Sequence, residues 1–319
     1  MIDLRSDTLT KPTPEMLAAM ASAEVGDEQY REDPTVNELQ RRMAELLGHE
    51  AALFVPTATM ANQIALRAQT TPGSTLVAEE RTHVIVYEAG GPAIHSGLMV
   101  RALQGEAGRL TPEQIEAEPD LGPGGMVVLE NTHRSSGGRV WPLDAFRAAV
   151  DAAHEKGATL HLDGARLFNA SVAAGIPPSD WSRHADSVTI CFSKGLACPL
   201  GAVVAGTAEM IERAWESKFL FGGALRQSGV VAAAALYALD HHVDRLAEDH
   251  ARARRIDPDA DTNFAVIEDA PGLQNELRGR GLLVGNLRPG RLRAVTYLGV
   301  SDEDADGAAA ILSEVRVHA

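Results

Sequence analysis

The sequence predicts an α/β fold built on a mainly parallel sheet, followed by a smaller α+β unit. Two observations carry this reading. Strand-like apolar runs alternate with amphipathic helix-like segments over most of the chain, as parallel strands joined by helical crossovers require. After a helix-rich stretch over 228–255, the pattern changes to three short strands and two helices. At 319 residues the chain is long for one compact domain and comfortable for two. The boundary is expected near residue 240, separating a large unit over 1–240, N-terminal arm included, from a small one over 241–319. Strands are expected at 51–55, 75–78, 126–130, 159–163, 187–192 and 202–205, with helices at 35–47, 59–68, 143–155 and 209–216. Pro142 before the 143–155 helix and Gly157 after it supply start and stop signals. In the small unit, 263–268, 282–285 and 292–297 read as strands, and 273–280 and 302–315 as helices.

Composition removes several function classes. Acidic residues outnumber basic ones by 44 to 29, a net charge of −15. A surface of that sign repels phosphate backbones, and no Lys/Arg cluster offsets it, so nucleic acid is not an expected partner. No apolar run reaches the roughly 18 residues a membrane span needs, and the first residues lack a signal-peptide layout. A cytoplasmic location is the expectation. The two cysteines, Cys191 and Cys198, lack the spacing of a zinc or CxxC redox site. Cys191 sits in an apolar run and reads as a small buried hydrophobe.

Three segments carry chemistry. In Val188-Thr189-Ile190-Cys191-Phe192-Ser193-Lys194-Gly195, a lysine directly follows a buried strand, at the sheet edge where α/β proteins bind ligands. A desolvated lysine there is a nucleophilic amine able to form an imine; a solvated turn lysine is the competing reading. In His161-Leu162-Asp163-Gly164-Ala165-Arg166 a strand ends on a carboxylate. Such a group suits pyridoxal 5'-phosphate (PLP), because an aspartate on the pyridine nitrogen keeps it protonated and makes the ring an electron sink. A His161–Asp163 metal pair and a helix-capping aspartate are the alternatives. The third segment, Phe54-Val55-Pro56-Thr57-Ala58-Thr59-Met60-Ala61-Asn62, runs strand, turn, helix. Its backbone N–H groups and threonine hydroxyls suit a phosphate, although threonine is also an ordinary N-cap.

With these segments in view, the chain resembles the L-threonine aldolases of low specificity, in the β-eliminating lyase group of fold-type I PLP enzymes. The resemblance runs from Met1 to about Ser301. It rests on Asp3-Leu4-Arg5-Ser6-Asp7-Thr8, Pro34-Thr35-Val36-Asn37-Glu38-Leu39, Glu88-Ala89-Gly90-Gly91, Leu129-Glu130-Asn131-Thr132-His133, 161–170, Ser193-Lys194-Gly195 and Arg226-Gln227-Ser228-Gly229. It implies a large domain with a mainly parallel, seven-stranded sheet and a small C-terminal α+β domain. It also implies these roles: Lys194 forms the Schiff base with PLP, Asp163 holds the pyridine nitrogen, and Arg166 lies near the ring. His83 stacks on the cofactor, while Ala58 and Thr59 with nearby N–H groups hold the phosphate, joined by Arg226 from a second subunit. Ser6 and Arg293 bind the substrate carboxylate, and His133 lies near its hydroxyl. Tyr30 and Lys218 line the site across a homodimer or homotetramer interface.

The implied reaction cleaves a β-hydroxy-α-amino acid, such as L-threonine or L-allo-threonine, to glycine and an aldehyde. The base for the hydroxyl proton is left open between His133, His83 and a water. Other PLP chemistry (β-elimination, racemisation, transamination) and a non-catalytic binding relative are the competing readings. The first differs in its products, and the second in losing Lys194 or Asp163, both of which are present. The family usually has glycine at Ala58, at Arg31 and at Ala224, and 251–263 reads as a shortened connection. No role is expected for the adjacent His241 and His242, and Arg134 matches nothing in the family pattern.

Overall fold

Seven strands of five residues each form the larger sheet of the chain, and four others form a smaller one. The computed structural model describes residues 1–318. In chain order the strands are β1 (Ile2–Leu4), β2 (Ala51–Val55), β3 (Thr75–Glu79), β4 (Met99–Leu103), β5 (Met126–Glu130), β6 (Thr159–Asp163), β7 (Ser187–Cys191), β8 (Ala202–Gly206), β9 (Phe264–Glu268), β10 (Leu282–Arg288) and β11 (Arg291–Val295).

The large sheet has the order β2-β8-β7-β6-β5-β3-β4. Only β8 runs against its neighbours; the pairs from β7 through β4 are all parallel. Its central strands are buried throughout, because helices cover both faces. Side-chain alternation splits their residues between two cores. Val127, Leu129, Leu160, Leu162, Val188 and Ile190 face Trp141, Phe146 and Trp181. Leu76, Ala78, Met126 and Val128 face the opposite way, with Leu66 of the helix Ala58–Gln69. That helix starts on the Thr57 cap, whose Oγ1 accepts from Met60 N at 3.2 Å.

Two departures from the sequence reading have clear causes. Strand β4 was not expected. It is the sheet's edge, four of its five residues are exposed, and so it carries no apolar pattern. The helix-rich stretch over 228–255 is two helices, Gly229–His241 and Leu246–Ile256, separated by a bend. The first packs on helices of the large unit, Pro14–Ala21 and Pro34–Leu47. The second packs on the C-terminal helix Asp302–His318 and on β9, and also on the helix Leu167–Ala174 of the large unit.

The small sheet has the order β1-β10-β11-β9. Its first strand comes from the chain's N-terminus and pairs parallel with β10, Leu4 opposite Val284. Residues 5–7 thereby leave the small sheet towards the carboxyl ends of the large sheet's strands. No helix among the described residues is long and apolar enough to cross a membrane.

Candidate active site

Three parallel strands end in acidic residues on one sheet edge: β3 in Glu79, β5 in Glu130 and β6 in Asp163. Lys194 follows β7, the strand beside β6, in which Thr189 is the register partner of Asp163. The lysine and the aspartate therefore leave neighbouring strands at their carboxyl ends, where open α/β sheets hold ligands. The Lys194 amine has no hydrogen bond or ion pair among the described residues, while the residue's carbonyl accepts from Ala197 N at 2.9 Å. Its loop is fastened from behind by His242, whose Nδ1 donates to the Leu196 carbonyl at 2.9 Å.

Asp163 is buried, and Asn62 donates to its Oδ2 at 2.9 Å while Ala165 N donates to Oδ1 at 3.1 Å. All its protein partners are donors, as an ionised carboxylate requires. His161, considered as a metal partner, faces Ser187 Oγ at 2.7 Å and Asn62 Oδ1 at 3.1 Å. Burial pushes its pKa down to about 4, so it is a neutral link in a buried network.

His83 Nδ1 lies 2.8 Å from Glu88 Oε1, and Asn62 Nδ2 donates to that same oxygen at 2.8 Å. Gln63 donates to the other oxygen of Glu88 at 2.5 Å. His83, Glu88 and Asp163 bring their polar atoms within 4.8 Å of one another. The Asn62 N–H groups point between the two carboxylates, so a hydrogen-bonding amide stands where a cation would have to sit. Burial works against the His83 cation, but Glu88, then Asp163 and Glu130, outweigh it and raise its pKa above the usual histidine value. Its Nε2 makes no hydrogen bond among the described residues.

His133 is placed differently. It is fully buried, Nδ1 2.9 Å from Ser136 Oγ and Nε2 3.1 Å from Glu79 Oε2. Burial again opposes the cation, but Glu130 and Glu79 raise its pKa. Gly108, at φ +81°, packs against this ring so closely that a Cβ there would come within 2.2 Å of it.

The N-terminal segment delivers Asp7, a residue given no role by the sequence. It is fully buried, and Arg166 grips it with two hydrogen bonds of 2.7 Å. Burial alone would raise its pKa; Arg166 above all, then Lys194 and Arg293, bring it down to about 2. Three expected site cations thus converge electrostatically on one carboxylate. Ser6 is ordered by the same turn, its Oγ accepting from Thr8 N and Thr8 Oγ1 at 3.3 and 2.8 Å.

Arg293, on β11, is buried, with Nε and Nη1 unpartnered. Its guanidinium lies 5.4 Å from the Phe264 ring centre, a ring that Arg166 also approaches, at 4.9 Å. Burial, then Arg134 and Arg166, lower its pKa to about 10, leaving it charged at neutral pH. A buried cation without a partner is costly, and an anion is the group that would satisfy it. Gly285 of β10 gives it room, since a Cβ there would lie 2.6 Å from the Arg5 carbonyl and 3.2 Å from Arg293 Nε.

The remaining residues lie further along the surface. Ala58 begins its helix in ordinary helical geometry, so the Cβ that replaces the family's glycine meets no backbone strain. Thr57, Thr59, Gln63, Ile94, Leu220 and Phe221 help line a cleft of about 530 Å³. Arg226 pairs with Asp27 of its own chain at 2.9 Å, and Tyr30 is 73% exposed. Lys218 is fully buried against Glu28, where desolvation pushes its pKa down to about 7. Arg31 sits in a left-handed conformation, φ 59°, ψ 30°, which explains why glycine suits this place. Here Glu212 holds the guanidinium through two hydrogen bonds, and Trp215 lies beneath it at 5.0 Å. Cys191 and Cys198 are buried thiols.

Asp7, Asn62, Glu79 and Glu88 are the functional neighbours that sequence reasoning left without roles. Asp7, Asn62 and Glu88 did stand inside the quoted segments, so the signal was present, but their partners are up to 256 residues away.

Comparison with known proteins agrees with this geometry. A low specificity L-threonine aldolase of Escherichia coli K12 is 39% identical over an alignment of 338 positions that covers all of this chain and 98% of the relative. The low-specificity L-threonine aldolase 1 of Arabidopsis thaliana is 37% identical, covering 95% and 93%. A solved Leishmania major threonine aldolase superposes with a TM-score of 0.84 at 18% identity, covering 99% of both chains. A putative L-allo-threonine aldolase of Listeria monocytogenes EGD-E gives 0.80 at 20% identity, over 98% and 96%. These two share the fold. The beta-eliminating lyase family model matches residues 3–277, and the chain belongs to that family.

Proposed function

We propose that this chain is a PLP-dependent aldolase that cleaves L-threonine, L-allo-threonine and related β-hydroxy-α-amino acids to glycine and an aldehyde. The observation that carries the proposal is Arg293, a buried guanidinium with two bare nitrogens, held beside Asp7 together with Lys194 and Arg166. That constellation suits a substrate carboxylate next to an amine nucleophile. The names of the full-length relatives support the reaction class.

The residues fit the cofactor. Lys194 offers an amine with no competing partner, and Asp163 offers an ionised carboxylate on the neighbouring strand for the ring nitrogen. Thr59 and the helix N-terminus beside Ala58 offer donors to a phosphate. When bound, PLP supplies a ring that withdraws electrons from the bond being broken. Arg293 and Ser6 anchor the substrate carboxylate and so fix the Cα–Cβ bond relative to Lys194. His83 rather than His133 handles the β-hydroxyl proton: His83 keeps an open Nε2, whereas both ring nitrogens of His133 face protein groups. Taking that proton requires neutral His83, so activity should rise with pH through a pKa above the ordinary histidine value. Arg166 serves through Asp7.

The protein acts as a homodimer or homotetramer in this reading, with Arg226, Tyr30 and Lys218 near a neighbour's site. Exposed Ile94, Leu220 and Tyr30 support an interface there.

Incubation of the PLP-loaded protein with L-threonine and L-allo-threonine should release acetaldehyde and glycine. Borohydride should fix cofactor to Lys194 in the wild type and not in Lys194→Ala. Pyruvate and ammonia in place of glycine would assign the chain to β-elimination, and a D-amino acid would assign it to racemisation.

A further inference from the structure

The strongest unassigned feature is the hydrogen-bond network behind His83, whose directions are fixed at Asn62 by two carboxylates. Asn62 Nδ2 faces Asp163 Oδ2 and Glu88 Oε1, at 2.9 and 2.8 Å, so both its N–H groups point to them and its oxygen faces His161. His161 Nε2, 3.1 Å from that oxygen, donates to it, because an amide oxygen only accepts. Behind His161, Ser187 Oγ lies 2.7 Å from Nδ1 and accepts from Gln69 Nε2 at 2.6 Å. The reverse orientation would set the amide oxygen against two anions. Glu88, buried and held on its other oxygen by Gln63, presents Oε1 to His83 Nδ1. A carboxylate at Nδ1 keeps the proton there in the neutral ring and leaves the Nε2 lone pair open. This is the orienting role that carboxylates play behind catalytic histidines in general.

We infer that Glu88 and Asn62 are positioning residues: Glu88 fixes the tautomer of His83 and raises its basicity, and Asn62 ties Glu88 to Asp163 through one amide. The inference deepens the proposed function and rests on its assignment of His83 as the proton-handling group. The charges in contact with His83 are accounted for. Glu130, at the end of β5, accepts from His83 N at 2.7 Å, Asp163 stands at the end of β6, and Glu88 lies in the following turn. Tyr87 tilts against the ring at 5.3 Å and carries Arg134 over its own ring at 4.1 Å. Glu88 alone bonds directly to a ring nitrogen. The shared Asn62 amide donates to a carboxylate oxygen of Glu88 and of Asp163, so one side chain bridges the two groups.

The test begins on the protein without cofactor, so that it does not depend on turnover. NMR titration of the His83 imidazole should give a pKa above the ordinary histidine value, with the neutral ring protonated on Nδ1. In Glu88→Gln, which keeps the side chain's size, that pKa should fall by about one unit, and the ascending limb of kcat/KM against pH should move down with it. Asn62→Ala should alter the pH titration of bound-cofactor absorbance and weaken PLP binding about tenfold, by removing one donor to Asp163. If Glu88→Gln folds poorly, Glu88→Asp serves instead and should shift the same pKa less. An unchanged His83 pKa and tautomer in the Glu88 variants overturns the inference, even if the wild type cleaves threonine. A wild type that shows the coupled His83 titration but releases no aldehyde overturns the aldolase reading and leaves the coupling established.

Discussion

Arg293 and Asp7 show how single charges define this site. Arg293 is buried with two nitrogens bare, and charge-assisted hydrogen bonds are worth about 1.5–3 kcal/mol each. Arg293→Met should therefore raise KM for threonine by about 10- to 100-fold, while cofactor absorbance stays as in the wild type. Asp7 behaves as a paired anion. Its folded pKa, about 2, lies below the unfolded 3.8, so the stability it adds is present above pH 3.8 and is lost as pH falls through about 2. The shift corresponds to about 2 kcal/mol. Asp7→Asn should flatten acid unfolding between those values. At neutral pH it should cost about 3–5 kcal/mol in urea titrations, because it strands the buried Arg166.

At the scale of elements, the turn over Glu28–Tyr30 ends on Arg31 in a left-handed conformation. A residue with a Cβ costs roughly 1 kcal/mol there relative to glycine. Arg31 meets Glu212 and the Trp215 ring from this turn. Both partners of the ion pair are more than half exposed, so the pair adds little. Arg31→Gly should thus be more stable than Arg31→Ala by about 1 kcal/mol, read from denaturation midpoints. Strand β1 matters in another way. By pairing with β10 it aims Ser6 and Asp7, the residues that follow it, at the large sheet's edge, so the segment leaving one sheet completes the site of the other.

For the whole molecule, we propose the boundary between the units at the bend between Gly229–His241 and Leu246–Ile256, the second of which bridges the C-terminal helix and Leu167–Ala174. The link from 257 to 263 is brief but well fastened: Asp261 takes Arg139 at 2.6 Å, and Thr262 donates to the Gly138 carbonyl at 2.8 Å. The E. coli relative aligns over more positions than this chain has residues, so it carries segments that this chain omits. Sedimentation equilibrium should give a dimer or tetramer. A charged substitution, Ile94→Asp, should dissociate it and lower activity, whereas a wild-type monomer with full activity would remove the shared-site proposal.

The sequence by itself determined the alternating fold and most strand bounds within a residue or two, and it put Lys194 and Asp163 at the ends of strands, where we propose they anchor the site. Those follow from local periodicity and from motif chemistry, which neighbouring residues write into the chain. It could not reveal β4, whose exposed edge carries no apolar rhythm, nor the break in the 228–255 helix. Only tertiary structure decided that Arg166 serves Asp7, that His133 is enclosed by Glu79 and Ser136, and that Asn62 joins Asp163 to Glu88. The reason is physical: the partner of a buried polar group is set by which strand ends share an edge, and those ends lie far apart along the chain.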